Sequence, residues 1–132
     1  MVNKSIAGRN KGFSLVEILC ILAITGILLG IVYPSYTEYL QETRRSDATI
    51  ALSSAASAQE RWYTLNSSFT DDIDNLGGSD SPESFYSLSV EASSNSFTLT
   101  ATAKSNGVQA TDSGCTAMTL NHLGRALPNN CW

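Results

Sequence analysis

An apolar run near the N-terminus constrains the fold of this chain more than any other feature. It extends over twenty residues from Phe13 to Val32 and is interrupted only by Ser14, Glu17 and Thr25. As an α-helix with a rise of about 1.5 Å per residue, this run would be roughly 30 Å long, the thickness of the hydrocarbon core of a bilayer. The sequence therefore predicts a membrane-spanning helix.

A short basic segment, residues 1–12, precedes the apolar run. It contains Lys4, Arg9 and Lys11 and no acidic residue. This segment has no apolar core of its own, so it is not an ordinary signal peptide, in which the apolar stretch precedes the cleavage site. The three cations would keep the N-terminus on the cytoplasmic side. Without residues 1–12 the chain has five basic and twelve acidic side chains, a net charge of −7. A surface of that charge does not attract nucleic acid or anionic lipid as a whole.

The helical pattern continues beyond Pro34, although a proline inside a helix removes a hydrogen bond and favours a kink. We predict one helix from about Phe13 to Leu65, interrupted or bent near Pro34, with an apolar first half and an amphipathic second half. Residues 66–68 end it, and a loop follows to residue 82. The apolar positions of the second half recur at steps of three and four: Tyr36, Tyr39, Leu40, Ala48, Ala51, Leu52, Ala55 and Trp62. The polar residues that fall mainly between them are Gln41, Glu42, Arg44, Arg45 and Asp47.

The second half of the chain has the alternation of β-strands. Apolar and polar residues alternate over 86–92 and over 97–103, and the turn residues 93–96 lie between them, which predicts an antiparallel hairpin. A weaker third strand covers 115–120, with a turn at 121–124 and a loop to the end. Three strands with one apolar face would cover the amphipathic half of the helix. The predicted fold class is therefore α+β.

The three cysteines divide between the two halves of the chain. Cys115 and Cys131 flank a C-terminal segment, whereas Cys20 lies in the apolar run. The simplest pairing is Cys115 with Cys131, and a bridge closing about 15 residues contributes roughly 3 kcal/mol by constraining the unfolded chain. Such a bridge persists in an oxidising compartment. The alternative is three free thiols in a cytosolic protein.

Glu17 is an acidic residue in the first turns of the apolar run. A lone carboxylate in lipid costs at least a few kcal/mol and requires a partner or a function. It could lie near the interface, protonated or extended towards water. Alternatively, cleavage between Gly12 and Phe13 would create an α-amino group, and the amine of a neighbouring subunit could pair with Glu17 in an apolar filament core. Gly26 and Gly30, four residues apart, would allow another helix to approach closely.

The run KGFSLVEILCILAITGILLGIVYPSY resembles the N-terminal signature of type IV prepilins. The shared features are a basic leader ending in Gly12, Phe13 as the new first residue, Glu17 as the fifth, and Pro34 after the apolar block. The resemblance implies that a prepilin peptidase cleaves the Gly12–Phe13 bond and N-methylates Phe13. It also implies that Glu17 is the assembly residue.

The rest of the chain agrees with this resemblance. The pair Cys115 and Cys131 is similar to the D-region of type IV pilins. The stretches QERWYTLNSSFT and CTAMTLNHLGRALPNNCW are similar to the PilE-type minor pilins of gamma-proteobacteria. One departure is Cys20, where the family usually has an aliphatic residue or Met, and it raises the possibility of oxidation or cross-linking.

The resemblance implies a structural subunit, a minor pilin, that serves pilus biogenesis, adhesion or motility. Its partners would be other pilins, the prepilin peptidase and the inner-membrane assembly machinery. The precursor would lie in the inner membrane and the product in the extracellular pilus. We expect a leader over 1–12, a transmembrane and filament-core helix over 13–34, and an extracytoplasmic region over 35–132.

Two alternatives remain. A type II secretion pseudopilin shares the N-terminal signature, but its C-terminus is typically not closed by a disulfide. A DNA-uptake pilin would need a basic strip, and the cations available are scattered: Arg44, Arg45, Arg61, Lys104 and Arg125.

The chain shows no pattern of an enzyme, a cofactor site or a metal site. His122 stands alone and is expected in a turn, without a Ser-His-Asp arrangement. Asp71, Asp72 and Asp74 lack the spacing of a calcium loop and are expected to form a solvated acidic loop. Arg44 and Arg45 are expected to be exposed, where they could pair with acids of neighbouring subunits.

Overall fold

A computed structural model describes residues 12–132. It divides into two compact units at residues 36 and 37. We refer to residues 15–36 as the apolar segment and to residues 37–132 as the head. The basic leader proposed for residues 1–12 lies outside the described residues except for Gly12.

A single helix, α1, extends over Leu15–Asn66. The predicted bounds, about 13 and 65, agree with it to within two residues. Of the interruption or bend predicted near Pro34, the interruption is not present, because α1 continues through this residue. A proline costs a helix one backbone hydrogen bond, and the remaining bonds of a helix this long hold its neighbours in helical geometry.

Four antiparallel strands form one sheet in the order β1-β2-β3-β4. Their bounds are Tyr86–Ala92 for β1, Phe97–Ala103 for β2, Ala117–Asn121 for β3 and Ala126–Leu127 for β4. The hairpin of β1 and β2 has the predicted strand bounds. Its turn is closed by Ser93, whose N–H donates to the Ser96 carbonyl at 2.8 Å.

The tail of the chain is more ordered than the sequence indicated. We predicted a loop after residue 124, but β4 and a 3₁₀ turn at Asn129–Cys131 are present there. Another 3₁₀ turn, Ile73–Leu76, lies in the loop between α1 and β1. Two-residue strands carry no readable alternation, so the sequence pattern could not reveal β4.

The core of the head lies between α1 and one face of the sheet. The side chains of β1 and β2 alternate between buried and exposed, because successive residues of a strand point to opposite faces. The buried apolar residues are Ala48, Ala51, Leu52, Ala55, Leu76, Tyr86, Leu88, Phe97, Leu99, Ala101, Ala103, Cys115, Met118 and Cys131. Small alanines on α1 allow the helix and the sheet to approach closely, and each large side chain buried there contributes about 1.5–3 kcal/mol.

The Cys115–Cys131 disulfide is present, with a Cα–Cα distance of 5.7 Å. It joins the segment before β3 to the 3₁₀ turn near the C-terminus. Cys20 is free and exposed on the apolar segment. The pairing expected from the sequence is therefore confirmed.

Candidate functional site

The apolar segment exposes nearly all of its large side chains. Along it, from Leu15 to Val32, the exposed fractions of Leu, Ile and Val side chains range from 45% to 76%. This part of α1 has a mean hydropathy of 2.7 over its most apolar 18 residues, and none of that window is buried. By length and composition it is the one described helix able to cross a membrane. A surface of this kind is stable in lipid or against other helices.

The residues predicted to act in maturation and assembly lie at the start of this segment. Gly12 and Phe13 precede α1, and Phe13 is 76% exposed. Glu17 belongs to the first turn of α1 and its side chain is exposed. Backbone hydrogen bonding of the helix type begins here, because the Ile18 N–H donates to the Ser14 carbonyl at 3.3 Å. An amine at residue 13 would therefore lie about one helical turn from the Glu17 carboxylate.

The two glycines of the apolar segment leave its surface open. A Cβ atom added at Gly26 or at Gly30 would meet no other atom within 4 Å. Both positions follow the four-residue spacing that places them on one face of a helix. They provide a smooth strip where the backbone of a second helix could approach closely.

In the head, α1 carries polar side chains that hold the loops in place. Arg45 donates two hydrogen bonds to the Asp112 carboxylate, from Nε at 2.8 Å and from Nη2 at 2.7 Å. The Asp112 side chain is 2% exposed and that of Arg45 is 21% exposed. The hydrogen bond to Asp112 raises the pKa of Arg45 above its already high ordinary value, so the guanidinium stays charged. The expectation that Arg45 is exposed is therefore wrong, because its guanidinium is half-buried against an acid of its own chain.

Asp47 holds the loop before β1. It accepts hydrogen bonds from the Ser81 hydroxyl, from the Glu83 N–H at 2.9 Å and from the Phe85 N–H at 3.3 Å. The Asp47 residue is only 4% exposed. In the sequence, Asp47 is one of the polar residues that fall mainly between the apolar positions of α1. It faces the loop instead, because its carboxylate satisfies backbone donors that would otherwise be buried without a partner.

Two buried glutamines complete this set of contacts. The Gln59 side-chain amide donates to the Thr70 carbonyl at 2.6 Å and accepts from the Thr70 N–H at 3.0 Å. Gln109 donates to the Tyr86 hydroxyl at 2.9 Å and to the Gln41 carbonyl at 3.2 Å. Burial raises the pKa of Tyr86. Together these contacts fix both long loops of the head, 67–85 and 104–116, to α1.

The sequence contained a signal for one of these residues. Gln59 follows Ala55 by four positions, so it continues the apolar stripe of α1, and a polar residue on such a stripe must find a buried partner. No comparable signal exists for Gln109 and Asp112. They lie in a segment without periodicity, and only the folded chain brings them to α1.

Three of the five cations proposed for a DNA-binding strip interact with other side chains of the head. Lys104 pairs with Asp80 at 2.9 Å, and the Arg44 guanidinium lies 5.4 Å from the centroid of the Phe85 ring. Arg45 is bound to Asp112. Among residues 12–132, Arg61 and Arg125 are exposed cations with no ion pair.

The remaining candidates have structural roles. His122 lies in the turn after β3, as predicted, with its ring centroid 6.3 Å from that of Phe97. Asp71, Asp72 and Asp74 are exposed, and the Asp72 carboxylate accepts from the Asp74 N–H at 3.0 Å to begin a 3₁₀ turn. In the described part of the chain no group of three or more His, Cys, Asp or Glu side chains could hold a metal ion.

Comparisons with known proteins agree with the division of the chain into an apolar segment and a head. The prokaryotic N-terminal methylation motif matches residues 8–33. The family described as "Type IV minor pilin ComP, DNA uptake sequence receptor" matches residues 34–119. The chain is also similar to a solved type IV pilin from Shewanella oneidensis, with a TM-score of 0.54 and 28% identity over 70% of this chain and 97% of that one.

Curated relatives include fimbrial and major pilin proteins. Fimbrial protein EcpC of Eikenella corrodens is 31% identical over 74% of this chain and 65% of its own length. The type IV major pilin PilE1 of Neisseria gonorrhoeae is 28% identical over 74% of this chain and 55% of its own length. The major pilin PilA of Myxococcus xanthus is 29% identical over 52% of this chain. The chain spans 31% to 65% of the length of these relatives.

Proposed function

This chain belongs to the ComP family of type IV minor pilins, and from that premise we propose that it is a structural subunit of a type IV pilus. The methylation motif and the apolar helix fit an inner-membrane precursor that is later built into the filament. The relatives reported above are pilins and fimbrial proteins, which supports a pilus over a secretion pseudopilus.

The observation that carries this proposal is the exposed apolar segment. The Leu, Ile and Val side chains from Leu15 to Val32 are 45% to 76% exposed, so a second surface has to cover them. In the membrane that surface is lipid, and in the filament it is the equivalent helices of other pilins. Transfer from lipid to protein yields little hydrophobic free energy. Close packing at Gly26 and Gly30 and the charge of Glu17 would therefore supply the specificity of assembly.

We propose that maturation divides the chain as its sequence indicates. The prepilin peptidase would cleave between Gly12 and Phe13, remove residues 1–12 and N-methylate Phe13. The segment 13–34 would form the filament core, and 35–132 would form the extracytoplasmic region. The exposure of Phe13 and the start of α1 at Leu15 support this assignment, because a peptidase needs an accessible, extended cleavage site.

The test of assembly is Glu17→Ala, with Glu60→Ala as its control because Glu60 is an exposed carboxylate elsewhere on the same helix. We expect the Glu17 variant to be processed to mature length but reduced at least tenfold in sheared filaments, which corresponds to about 1.4 kcal/mol. The Glu60 variant should assemble normally. Immunoblots of membranes and sheared filaments measure both quantities. Normal incorporation of Glu17→Ala would contradict the proposed role.

The test of processing is a bulky residue in place of Gly12. Since Gly12 lacks a side chain, we expect Gly12→Val to block cleavage and leave a precursor that is about 12 residues longer. A band of mature length from this variant would refute the cleavage site. Gly26→Ala, outside the proposed site, should be cleaved like the parent.

A second candidate function is DNA binding during uptake, and the description of the matching family as a DNA uptake sequence receptor favours it. In the head, Arg61 and Arg125 are the cations that would remain for phosphates. Two contacts predict a shallow salt dependence, with log K falling by about 1.8 per tenfold rise in salt. Binding of duplex DNA by the purified protein, weakened by Arg61→Ala and Arg125→Ala but not by Lys104→Ala, would support this function. Unchanged binding in both arginine variants would exclude these contacts.

A further inference from the structure

A depression lies on the surface of the head between α1 and the last residues of the chain. Its volume is about 240 Å³, and it is lined by Glu42, Arg45, Ser46, Thr49, Asn130, Cys131 and Trp132. We call it the Trp132 depression. The four residues from α1 follow steps of three and four, so they share one face of the helix. The other wall is the 3₁₀ turn Asn129–Cys131 together with Trp132.

The wall formed by the C-terminal residues is fixed in position. Cys131 is held by the disulfide to Cys115, and its N–H donates to the Pro128 carbonyl at 3.1 Å. The Trp132 indole N–H donates to the Leu127 carbonyl at 3.3 Å. The indole therefore uses its polar group within the head, while 40% of the residue stays exposed. What Trp132 offers to a ligand is the apolar surface of its ring, on a wall that loses little conformational entropy on binding.

The helix wall offers hydrogen-bond acceptors. The Ser46 hydroxyl donates to the Thr43 carbonyl, and the Thr49 hydroxyl donates to the Ser46 carbonyl at 3.0 Å. Each hydroxyl proton is thus directed at the helix backbone, and each oxygen keeps lone pairs for an incoming donor. Glu42 is exposed and forms no salt bridge within residues 12–132, so its carboxylate oxygens are also acceptors.

Donors face the depression from both walls. The Arg45 guanidinium donates to Asp112 from Nε and Nη2, which leaves its remaining N–H groups for a ligand. Asn130 is exposed on the opposite wall, and its side-chain amide forms no hydrogen bond with the part of the chain that the structure describes. An amide supplies both donors and an acceptor. The lining therefore combines an aromatic ring with polar groups of both kinds.

The charges around the depression favour a neutral ligand. Arg45 is paired with Asp112, so Glu42 is the uncompensated charge of the lining, and Glu38 lies in the neighbouring depression. A carboxylate or phosphate would meet this negative charge without a free cation to bind. The Arg45 guanidinium on the same wall opposes a ligand ammonium. Arg44 does not change this balance, because it lines a different groove.

We propose that the Trp132 depression binds the terminal hexose ring of a neutral glycan. A pyranose has faces of C–H groups and a rim of hydroxyls, so its recognition needs an aromatic ring beside polar groups that both donate and accept. The C–H face would pack on Trp132, and the hydroxyls would bond to Glu42, Arg45 and Asn130. The volume of about 240 Å³ is below the roughly 300–1,000 Å³ of sites for drug-sized ligands, which suits a single ring. The inference goes beyond the proposed function, because it requires no filament.

The test uses the full-length protein in a detergent without a sugar headgroup, such as dodecylphosphocholine. The parent carries Trp62→Phe, so that Trp132 is the only tryptophan of the chain. It is titrated with the methyl glycosides of glucose, galactose and mannose, and with lysine amide and sialic acid as charged probes. We expect a saturable change in Trp132 fluorescence with at least one hexoside, with a dissociation constant on the order of 1 mM. Both charged probes should bind more weakly.

Variants locate the site by ligand-observed NMR, which needs no tryptophan. Trp132→Ala should weaken hexoside binding about tenfold through the lost ring contact, and Asn130→Ala about fivefold through a lost hydrogen bond. Glu42→Gln should weaken it severalfold. Glu60→Gln changes an exposed carboxylate farther along the same helix and should bind like the parent. If Trp132→Ala unfolds, the Asn130 variant, whose fold is checked by circular dichroism, decides.

Three results would overturn the proposal. The first is no saturable response to any hexoside up to about 50 mM, well above the expected dissociation constant. The second is binding that is unchanged in Trp132→Ala and Asn130→Ala, because the sugar would then lie elsewhere. The third is tighter binding of lysine amide than of any hexoside, which would assign the depression to a cationic group. The pilus proposal is tested separately in filaments by Glu17→Ala, so the failure of one proposal is distinguishable from the failure of the other.

Discussion

The apolar segment and the head differ in which side chains they expose and which they bury. In the apolar segment the large apolar side chains are exposed, and Glu17 is its single charged residue. In the head the apolar side chains form a core, but Asp47 and Asp112 are also buried, each with defined donors. The apolar segment therefore depends on partners outside the chain, whereas the head provides partners for its buried carboxylates.

This difference indicates where substitutions act. A group that is satisfied within the head contributes to the free energy of unfolding of the isolated chain. A group exposed on the apolar segment contributes only where lipid or another subunit covers it. The four predictions below test this division on the full-length protein in detergent, from the largest expected effect to the smallest.

Arg45→Ala should have the largest effect on the head. It leaves the Asp112 carboxylate buried without its partner, and removing one member of a buried ion pair costs about 3–5 kcal/mol. Chemical denaturation followed by circular dichroism measures the change. The double variant Arg45→Met with Asp112→Leu should recover most of the loss. If Arg45→Ala unfolds like the parent, the pair does not anchor the loop 104–116.

Asp47→Ala should be the next in size. It removes the acceptor for two backbone N–H groups and a hydroxyl, and we expect a loss of about 3 kcal/mol because each buried donor without a partner costs about 1–3 kcal/mol. Asp47→Asn keeps one acceptor oxygen and should lose about half as much. Hydrogen exchange at Glu83 and Phe85 should become faster in both variants. Unchanged exchange there would show that the loop 67–85 is held by other contacts.

Tyr86 should make the head less stable at alkaline pH. Burial raises its folded pKa above the unfolded value of about 10, so the stabilising contribution is complete below pH 10 and is lost as the pH rises through the folded pKa. Tyr86→Phe should lose about 1 kcal/mol at neutral pH through the missing contact with Gln109, and less additional stability above pH 10. Parallel pH curves for the two proteins would contradict this assignment.

Leu28→Ala should leave the unfolding of the head within about 0.5 kcal/mol of the parent, because Leu28 is 57% exposed on the apolar segment. Leu52→Ala, at a fully buried position of the same helix, is its matched control and should cost about 2–5 kcal/mol. Equal losses of unfolding free energy in the two variants would contradict the difference between the apolar segment and the head.

The helix and the hairpin could be predicted because their periodicities are long and regular. The strands β1 and β2 alternate over seven residues each, and their predicted bounds are those of the structure. The apolar stripe of α1 predicted Ala48, Ala51, Leu52 and Ala55 as core residues, and all four are buried. Tyr36 and Tyr39, on the same stripe, are exposed. Periodicity identifies the face of a helix but not how far along it a partner extends.

The polar contacts of the head could not be predicted. Arg45 and Asp112 are 67 positions apart, and Asp47 and Phe85 are 38 apart. A single sequence gives no information about which distant polar residues meet. The default expectation for a charged residue is exposure to solvent, and it was wrong for Arg45 and Asp47 because folding offered them buried partners.

By itself the sequence determined the apolar segment, the amphipathic continuation of α1, the hairpin and the pairing of Cys115 with Cys131. Each of these depends on local spacing or on a small number of possible pairings, so the chain specifies it without reference to distant residues. Only the tertiary structure decided which polar residues hold the loops, which cations stay free, and which residues line the Trp132 depression. Those properties depend on contacts between segments far apart in sequence, and such contacts exist only once the sheet has packed on α1.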